Sequence, residues 1–215
     1  MLQIERPALP ERLVLQTELA DTLRRAVEEE TDLSGIHFTG GAAPPEPLRI
    51  ISLKGCQFTG CRFGACKGEQ LYFFHVLFES CDFSGAFFDR CLFRRVRFTN
   101  CKLSGAAFSD CSFEQCTFEN SPGRLLAFSK ASYKGVLFSS CDLSQASWQE
   151  ARLAKTYFEN CRMTGAELLH TPLKGIDFTS DELDGLRVTL PDLRGAIVTA
   201  GQACDLARLL GIEIR

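Results

Sequence analysis

Between Glu79 and Asn120 a large apolar residue falls on every fifth position: Phe83, Phe88, Phe93, Phe98, Leu103, Phe108, Phe113 and Phe118. Two places before each sits a small or thin residue: Cys81, Ala86, Cys91, Val96, Cys101, Ala106, Cys111 and Cys116. A helix repeats at about 3.6 residues and a strand at about 2, so five is the period of a repeat unit. Stepping by five from Leu33 to Val198, the large position fails only at Ala43, Gly68 and Gly123. Sixteen of the 18 Phe residues occupy it, all but Phe74 and Phe87; ten of the 11 Cys occupy the small position, all but Cys204. Such phase-keeping is not a chance pattern.

A longer period lies inside the short one. Every fourth central residue gives Phe38, Phe58, Phe78, Phe98, Phe118, Phe138, Phe158 and Phe178. Four five-residue units therefore make one coil, and successive coils stack about 4.8 Å apart, the hydrogen-bonding distance between strands. Like residues then sit on like residues. At Gly68 and Gly123 the column lacks a side chain, which predicts a gap, an inward-folding neighbour or a bulge. Pro122 cannot donate to a ladder, so Ser121 to Leu125 is the expected bulged corner.

The ends leave the beat. Leu15, Leu19, Leu23 and Val27 recur at spacing four within residues 10–30, the stripe of an amphipathic helix. An open coil exposes backbone and core, so this helix is expected to cap the first coil; docking of a partner helix is the other reading of the stripe. Residues 40–47, GGAAPPEP, read as a loop that keeps register. In the tail, Ala203, Leu206, Ala207 and Leu210 mark a short helix, Gly211 is placed to end it, and Ile212 and Ile214 alternate as a terminal strand. The expected organisation is an N-terminal segment with a capping helix (1–30), a repeat domain (31–200) and a C-terminal helix and strand (201–215).

The units CDFSG, CKLSG, CDLSQ and AELLH resemble the pentapeptide-repeat family, whose motif is A(D/N)LXX, with Cys replacing Ala at many small positions. The resemblance covers about residues 31–200. It implies an all-β solenoid, a right-handed quadrilateral β-helix with four short sides per turn. The tail resembles the C-terminal module by which family members dimerise, which implies a homodimer through Leu206, Leu209, Leu210, Ile212 and Ile214. The best-known members are dimeric rods that mimic duplex DNA, bind DNA gyrase or topoisomerase IV, and protect against quinolones. In those members loops interrupt the solenoid; this sequence has no register-breaking insertion, which argues against a loop-dependent activity.

Composition changes little. The formal net charge is −3 and names no partner. No charged segment precedes an apolar run, so no signal peptide is expected, and no stretch approaches the roughly 20 apolar residues of a membrane span. Inward-facing Cys packs as a small hydrophobe, so a reduced, cytoplasmic protein is expected despite the 11 cysteines. No catalytic motif appears. His37, His75 and His170 are isolated, and Cys spacing is set by the repeat, so no metal, cofactor or catalytic residue is expected. Asp and Ser beside the large positions are expected to bond turn backbone.

Function then falls to the outward positions. One side carries Lys54, Arg94, Arg95, Lys134, Arg152, Lys155, Lys174 and Arg194 against Asp32, Glu114 and Asp192. The next, with the Phe column, carries Glu79, Glu119, Glu159 and Asp177 against Arg97. Glu119, Asp142, Glu159, Asp177, Glu182 and Asp184 make an acidic edge toward the C-terminal end, and through the resemblance this is the candidate surface for a type II topoisomerase. A solvated face or a scaffold for another protein is the competing reading. The basic side could follow a phosphate backbone, but beyond Phe74 and Tyr72 it lacks interleaved exposed aromatics, so direct nucleic-acid binding ranks last.

Overall fold

The computed structural model describes residues 4–64 and 66–212. It is a parallel β-solenoid with two short helices. Strand pairings within the rod are parallel and offset by 20 residues: Phe98, for example, lies beside Phe78 on one side and Phe118 on the other. Four sides follow from the pairing. Side A carries Leu53, Phe73, Phe93, Phe113 and Tyr133; side B carries the Phe column; side C carries Phe63, Phe83 and Leu103; side D carries Phe88, Phe108, Phe128 and Trp148. Strands Tyr72–Glu79, Leu92–Thr99, Ser112–Glu119, Ser132–Ser139 and Arg152–Glu159 each wrap sides A and B, while side C is held by single bridges such as Asp82 to Lys102.

The core is a set of aromatic stacks. From Phe38 to Phe178 the rings of side B follow one another at 5.0, 4.9, 5.0, 4.6, 4.7, 5.3 and 5.5 Å. Rings of different sides meet edge to face, as Phe78 meets Phe83 at 85°. Both are favoured aromatic geometries, worth about 0.5–1.5 kcal/mol per pair beyond area burial. The inward Cys pack among these rings, and their thiols donate to carbonyls: Cys81 Sγ lies 3.4 Å from the Phe58 oxygen and 3.5 Å from that of Glu79. All eleven are free; ten are buried, and burial pushes the Cys66 and Cys116 thiols up to about 12.

The corners carry the cost. Among the described residues nineteen non-glycine residues have positive φ, and every one has a number divisible by five. Left-handed backbone costs an L-residue roughly 1–2 kcal/mol, so only a closed ladder on both sides holds His75, Arg95 and Leu125 there. Gly85 and Gly105 take this conformation without strain, closing turns in which Ala86 N–H reaches Phe83 O at 2.8 Å and Ala106 N–H reaches Leu103 O at 3.0 Å.

Three expectations about the repeat resolve in detail. At Gly68 a side chain would strike Leu71 and Phe88, and at Gly123 it would strike Leu126. Leu71 and Leu126 occupy small positions, so a large residue has moved three places along and fills the space from the neighbouring side. The expected bulge at Ser121–Leu125 is absent. Gly123 N–H bonds Asp142 O at 2.7 Å and Leu126 N–H bonds Gly123 O at 3.1 Å, an ordinary corner. Pro122 removes one donor from side C, where pairing is already reduced to single bridges, and no extra residue is needed.

The N-terminal helix is shorter than its stripe. Helix α1 spans Leu19–Glu28 and buries Leu19, Leu23 and Ala26 on the first coil. Leu15 belongs instead to the strand Val14–Gln16, which pairs with Ile36–Phe38 and leaves Leu15 65 % exposed. The open ladder edge of the first coil offers hydrogen bonds that a further helical turn could not match. Upstream, residues 5–10 run along the A/B corner: Glu5 N–H donates to Gln115 Oε1 at 2.9 Å, and Ala8 N–H to His75 Nδ1 at 2.9 Å. No sequence signal pointed to this strap.

At the other end, helix α2 spans Ala200–Ala207, followed by a single 3-10 turn Arg208–Leu210 closed by Gly211 at φ 72°. Thr199 and Gln202 cap it reciprocally, and Gln202 Nε2 also donates to the carbonyls of Phe178 and Asp181, at 2.7 and 2.8 Å, pinning the helix to the last coil. The expected terminal strand reaches Ile214, which lies outside the described residues. Among those residues no helix is long and apolar enough to cross a membrane.

Candidate functional site

Closely stacked coils place the six predicted acids on both flanks of one corner, that between sides B and C. Glu119, Glu159 and Asp177 stand on side B; Asp142, Glu182 and Asp184 stand on side C. Their states differ. Glu119 is paired with Arg97, and Glu182 accepts from Arg162 Nε at 2.9 Å. Asp142 accepts from Ser144 N–H at 3.1 Å and Oγ–H at 2.6 Å; Asp177 accepts from Thr179 N–H at 2.9 Å and Oγ1–H at 2.7 Å. Those two are turn residues, as expected for Asp beside the large position, and the Thr179 bonds hold the Asp177 carboxyl below its usual range. Among the described residues Glu159 and Asp184 form no ion pair.

Sequence reading missed Asp181, which continues a column of small residues: Cys61, Cys81, Cys101, Ser121, Cys141 and Cys161. It is 7 % exposed. Its Oδ1 accepts from Cys161 N–H at 2.7 Å, while Oδ2 has no hydrogen-bond partner among the described residues. Burial raises its carboxyl to about 6, and the charges of Asp177 and Glu159 push the same way. Cys161, one coil earlier, donates to Phe138 O and Glu159 O, at 3.4 and 3.6 Å. The signal was visible as one acid in a run of Cys and Ser.

The acidic corner meets the C-terminal end. A hollow of about 440 Å³ between the last coil and α2 is lined by Asp181, Glu182, Asp184, Asp205, Leu206 and Leu209, among others. Of the predicted dimer residues, Leu206 packs against the core, and Leu209 and Ile212 are 43 % and 49 % exposed. They are joined at this end by exposed Leu190 and Ile197. The side chain of Leu210, and Ile214 altogether, lie outside the described residues. Among those residues no group of three or more His, Cys, Asp or Glu is placed to hold a metal ion.

The four-sided coil of five-residue units is matched by a family description, pentapeptide repeat region, over residues 51–122, 71–140 and 91–168, together more than half of the chain. The protein belongs to the pentapeptide-repeat family. Its similar solved structures include trypsin-treated QnrB1, a plasmid-mediated fluoroquinolone resistance protein, at 21% identity, covering 86% of this chain and 99% of that one with a TM-score of 0.44. They also include HetL, a pentapeptide repeat protein involved in heterocyst differentiation regulation from the cyanobacterium Nostoc, at 15% identity, 77% and 84% coverage and a TM-score of 0.23. Rfr23 from the cyanobacterium Cyanothece matches at 11% identity, 83% and 99% coverage and a TM-score of 0.22. No curated protein matches the chain.

Proposed function

We propose that this pentapeptide-repeat protein is a non-catalytic binding rod in the cytoplasm that pairs with a second copy through its C-terminal end and presents its B/C corner to a type II topoisomerase as a substitute for duplex DNA. The observation that carries the reading is the meeting of the acidic corner with the apolar end, in the hollow where Asp184 and Glu182 adjoin Leu206 and Leu209. A two-fold pair through that end sets two acidic corners in line, and a two-fold dimer is the commonest oligomer. Duplex DNA carries one negative charge per about 1.7 Å of axis, which a single corner with Arg97 and Arg162 among its acids does not reach. Doubling the corner lengthens the acidic track rather than its density, so recognition rests on free carboxylates such as Glu159 and Asp184.

The test is DNA gyrase supercoiling with added protein, with and without a quinolone. Inhibition, or rescue from the drug, at low micromolar protein is the expected result, and Glu159→Lys with Asp184→Lys should remove it. No effect of the parent protein on the enzyme would overturn the reading. The second reading, a scaffold for another protein, is favoured by the state of the acids: two are paired with Arg and two are bound to their own turns. On that reading the rod is inert toward topoisomerases, and both Lys substitutions leave its binding partner in place.

A further inference from the structure

Side A divides into two halves that its sequence does not distinguish. In the first half each cation has its own carboxylate. Lys54 Nζ lies 2.5 Å from Asp32, Arg94 Nη2 lies 2.5 Å from Glu114, and Arg95 Nη2 lies 2.5 Å from Glu5 of the N-terminal strap. In the second half Lys134, Arg152, Lys155, Lys174 and Arg194 form no ion pair among the described residues. Their positions converge. Lys134 is the ladder neighbour of Ala154 and Arg152 the neighbour of Ser132, while Arg152 and Lys155 flank Ala154 on its own strand. Lys174 follows Ala154 by one coil, the offset fixed by the bond from Ala151 N–H to Thr171 Oγ1. Ala154 is thus a short residue with cations around it, and the hollow over it, about 420 Å³, is lined by Ser112, Glu114, Lys134, Arg152, Ala154 and Lys155 among others; its one carboxylate, Glu114, is the ladder neighbour of Lys134 and is held by Arg94.

The first half shows what fits such a face. There the chain lays its own extended segment along the A/B corner, with the Glu5 carboxylate on Arg95, the Ala8 N–H on His75 and Pro10 close against Gly35 and Gly55. The same corner column runs on past Gln115 to Gly135, Lys155 and Gly175, where no strap lies among the described residues. The geometry points to a second occupant: the second half of side A binds an extended acidic segment of a partner polypeptide, its carboxylates facing Lys134, Arg152, Lys155 and Lys174 as Glu5 faces Arg95. Polypeptide fits better than nucleic acid. Side A is three residues wide, roughly 10 Å at about 3.3 Å per residue, so a duplex laid on it overhangs both of its corners, the one toward side D carrying the exposed Glu150. The rings nearest the hollow, Phe113 and Tyr133, are buried, and a single strand finds no stacking platform.

The experiment is fluorescence anisotropy of a labelled Glu/Asp-rich peptide of about a dozen residues with the full chain, beside labelled single-stranded and duplex DNA of matched charge, at low and at physiological salt. The peptide is expected to bind more tightly than either DNA. Lys134→Glu with Lys155→Glu should weaken it by about tenfold or more, and Lys54→Glu, on the already neutralised half, by less than about twofold. Lys155→Gln alone gives a smaller loss in the same direction and covers the case in which the double variant fails to fold. Tighter binding of DNA, equal losses from Lys54→Glu and the double variant, or no binding of the peptide at low salt would overturn the proposal.

Discussion

The two ends of the rod are closed in different ways. At the N-terminal end α1 drives Leu19, Leu23 and Ala26 into the core, and Val14–Gln16 satisfies the ladder edge. At the C-terminal end α2 buries no residue fully and is held mainly by its cap, with Leu209, Ile212, Leu190 and Ile197 left exposed. Solenoids must cover both ends, because each coil is stabilised only by its neighbours. One end is therefore finished within the chain and the other is finished as a surface, and apolar surface on a terminal coil is where a second molecule gains most.

The comparison presupposes one continuous core between the ends, and the largest effect breaks that. Phe98→Asp places a charge in a closed ring column and should cost more than about 4 kcal/mol, abolishing a cooperative thermal transition; a soluble variant with unchanged melting would sink the stacked-core account. Next come the ends themselves. Leu23→Ala at the sealed end should cost about 2–5 kcal/mol in a denaturant titration, as for a buried Leu. Leu209→Glu at the open end should change stability by about 0.5 kcal/mol or less yet halve the mass in sedimentation. A parent protein already monomeric would end the dimer proposal.

A smaller effect sharpens the C-terminal side. Asp181 has its folded pKa raised to about 6 from an ordinary 3.8, so the stability its neutral form contributes is present below about pH 4 and is lost as pH rises through 6. The parent should lose on the order of 1–2 kcal/mol between pH 5 and 7.5, and Asp181→Asn should remove most of that loss in paired denaturant titrations. Smallest is the strap. His75 Nδ1 accepts from Ala8 N–H only when the ring lacks a proton there; burial and the facing Arg95 lower its pKa, against the Glu5 charge. The strap is held above that pKa and released as pH falls through it, so hydrogen-exchange protection at residues 5–10, measured relative to intrinsic exchange at each pH, should fall between pH 7 and 5 without a change in global melting.

How much of this was legible follows from what constrains each position. Inward residues must fill a closed column, so Phe38 to Phe178 and the Cys beside them announce the coil in sequence. The left-handed corners were half legible: Gly85, Gly105 and Asn100 suit that backbone, but Arg90, Glu150 and Ile50 do not advertise it, because the ladder imposes it on them. The exchange of Gly68 for Leu71, and of Gly123 for Leu126, could have been read as a pair three residues apart. The strap could not: Glu5 and Arg95 are 90 residues apart and share no period. For the acidic corner, the positions were legible and the states were not, since whether Glu119 is free depends on the reach of Arg97 from a neighbouring coil.

The fixed 20-residue offset turns the sequence into a screw thread. Removing one whole coil shortens the rod by about 4.8 Å and leaves every face pointing as before. Removing five residues leaves the length almost unchanged but swings everything beyond the cut through a quarter turn. Side A would then be continued by the face that had followed it, and the open end would present its apolar residues at a new azimuth. Length and the relative bearing of the two ends are thus independent settings of one chain, each adjustable by deletion in units of five.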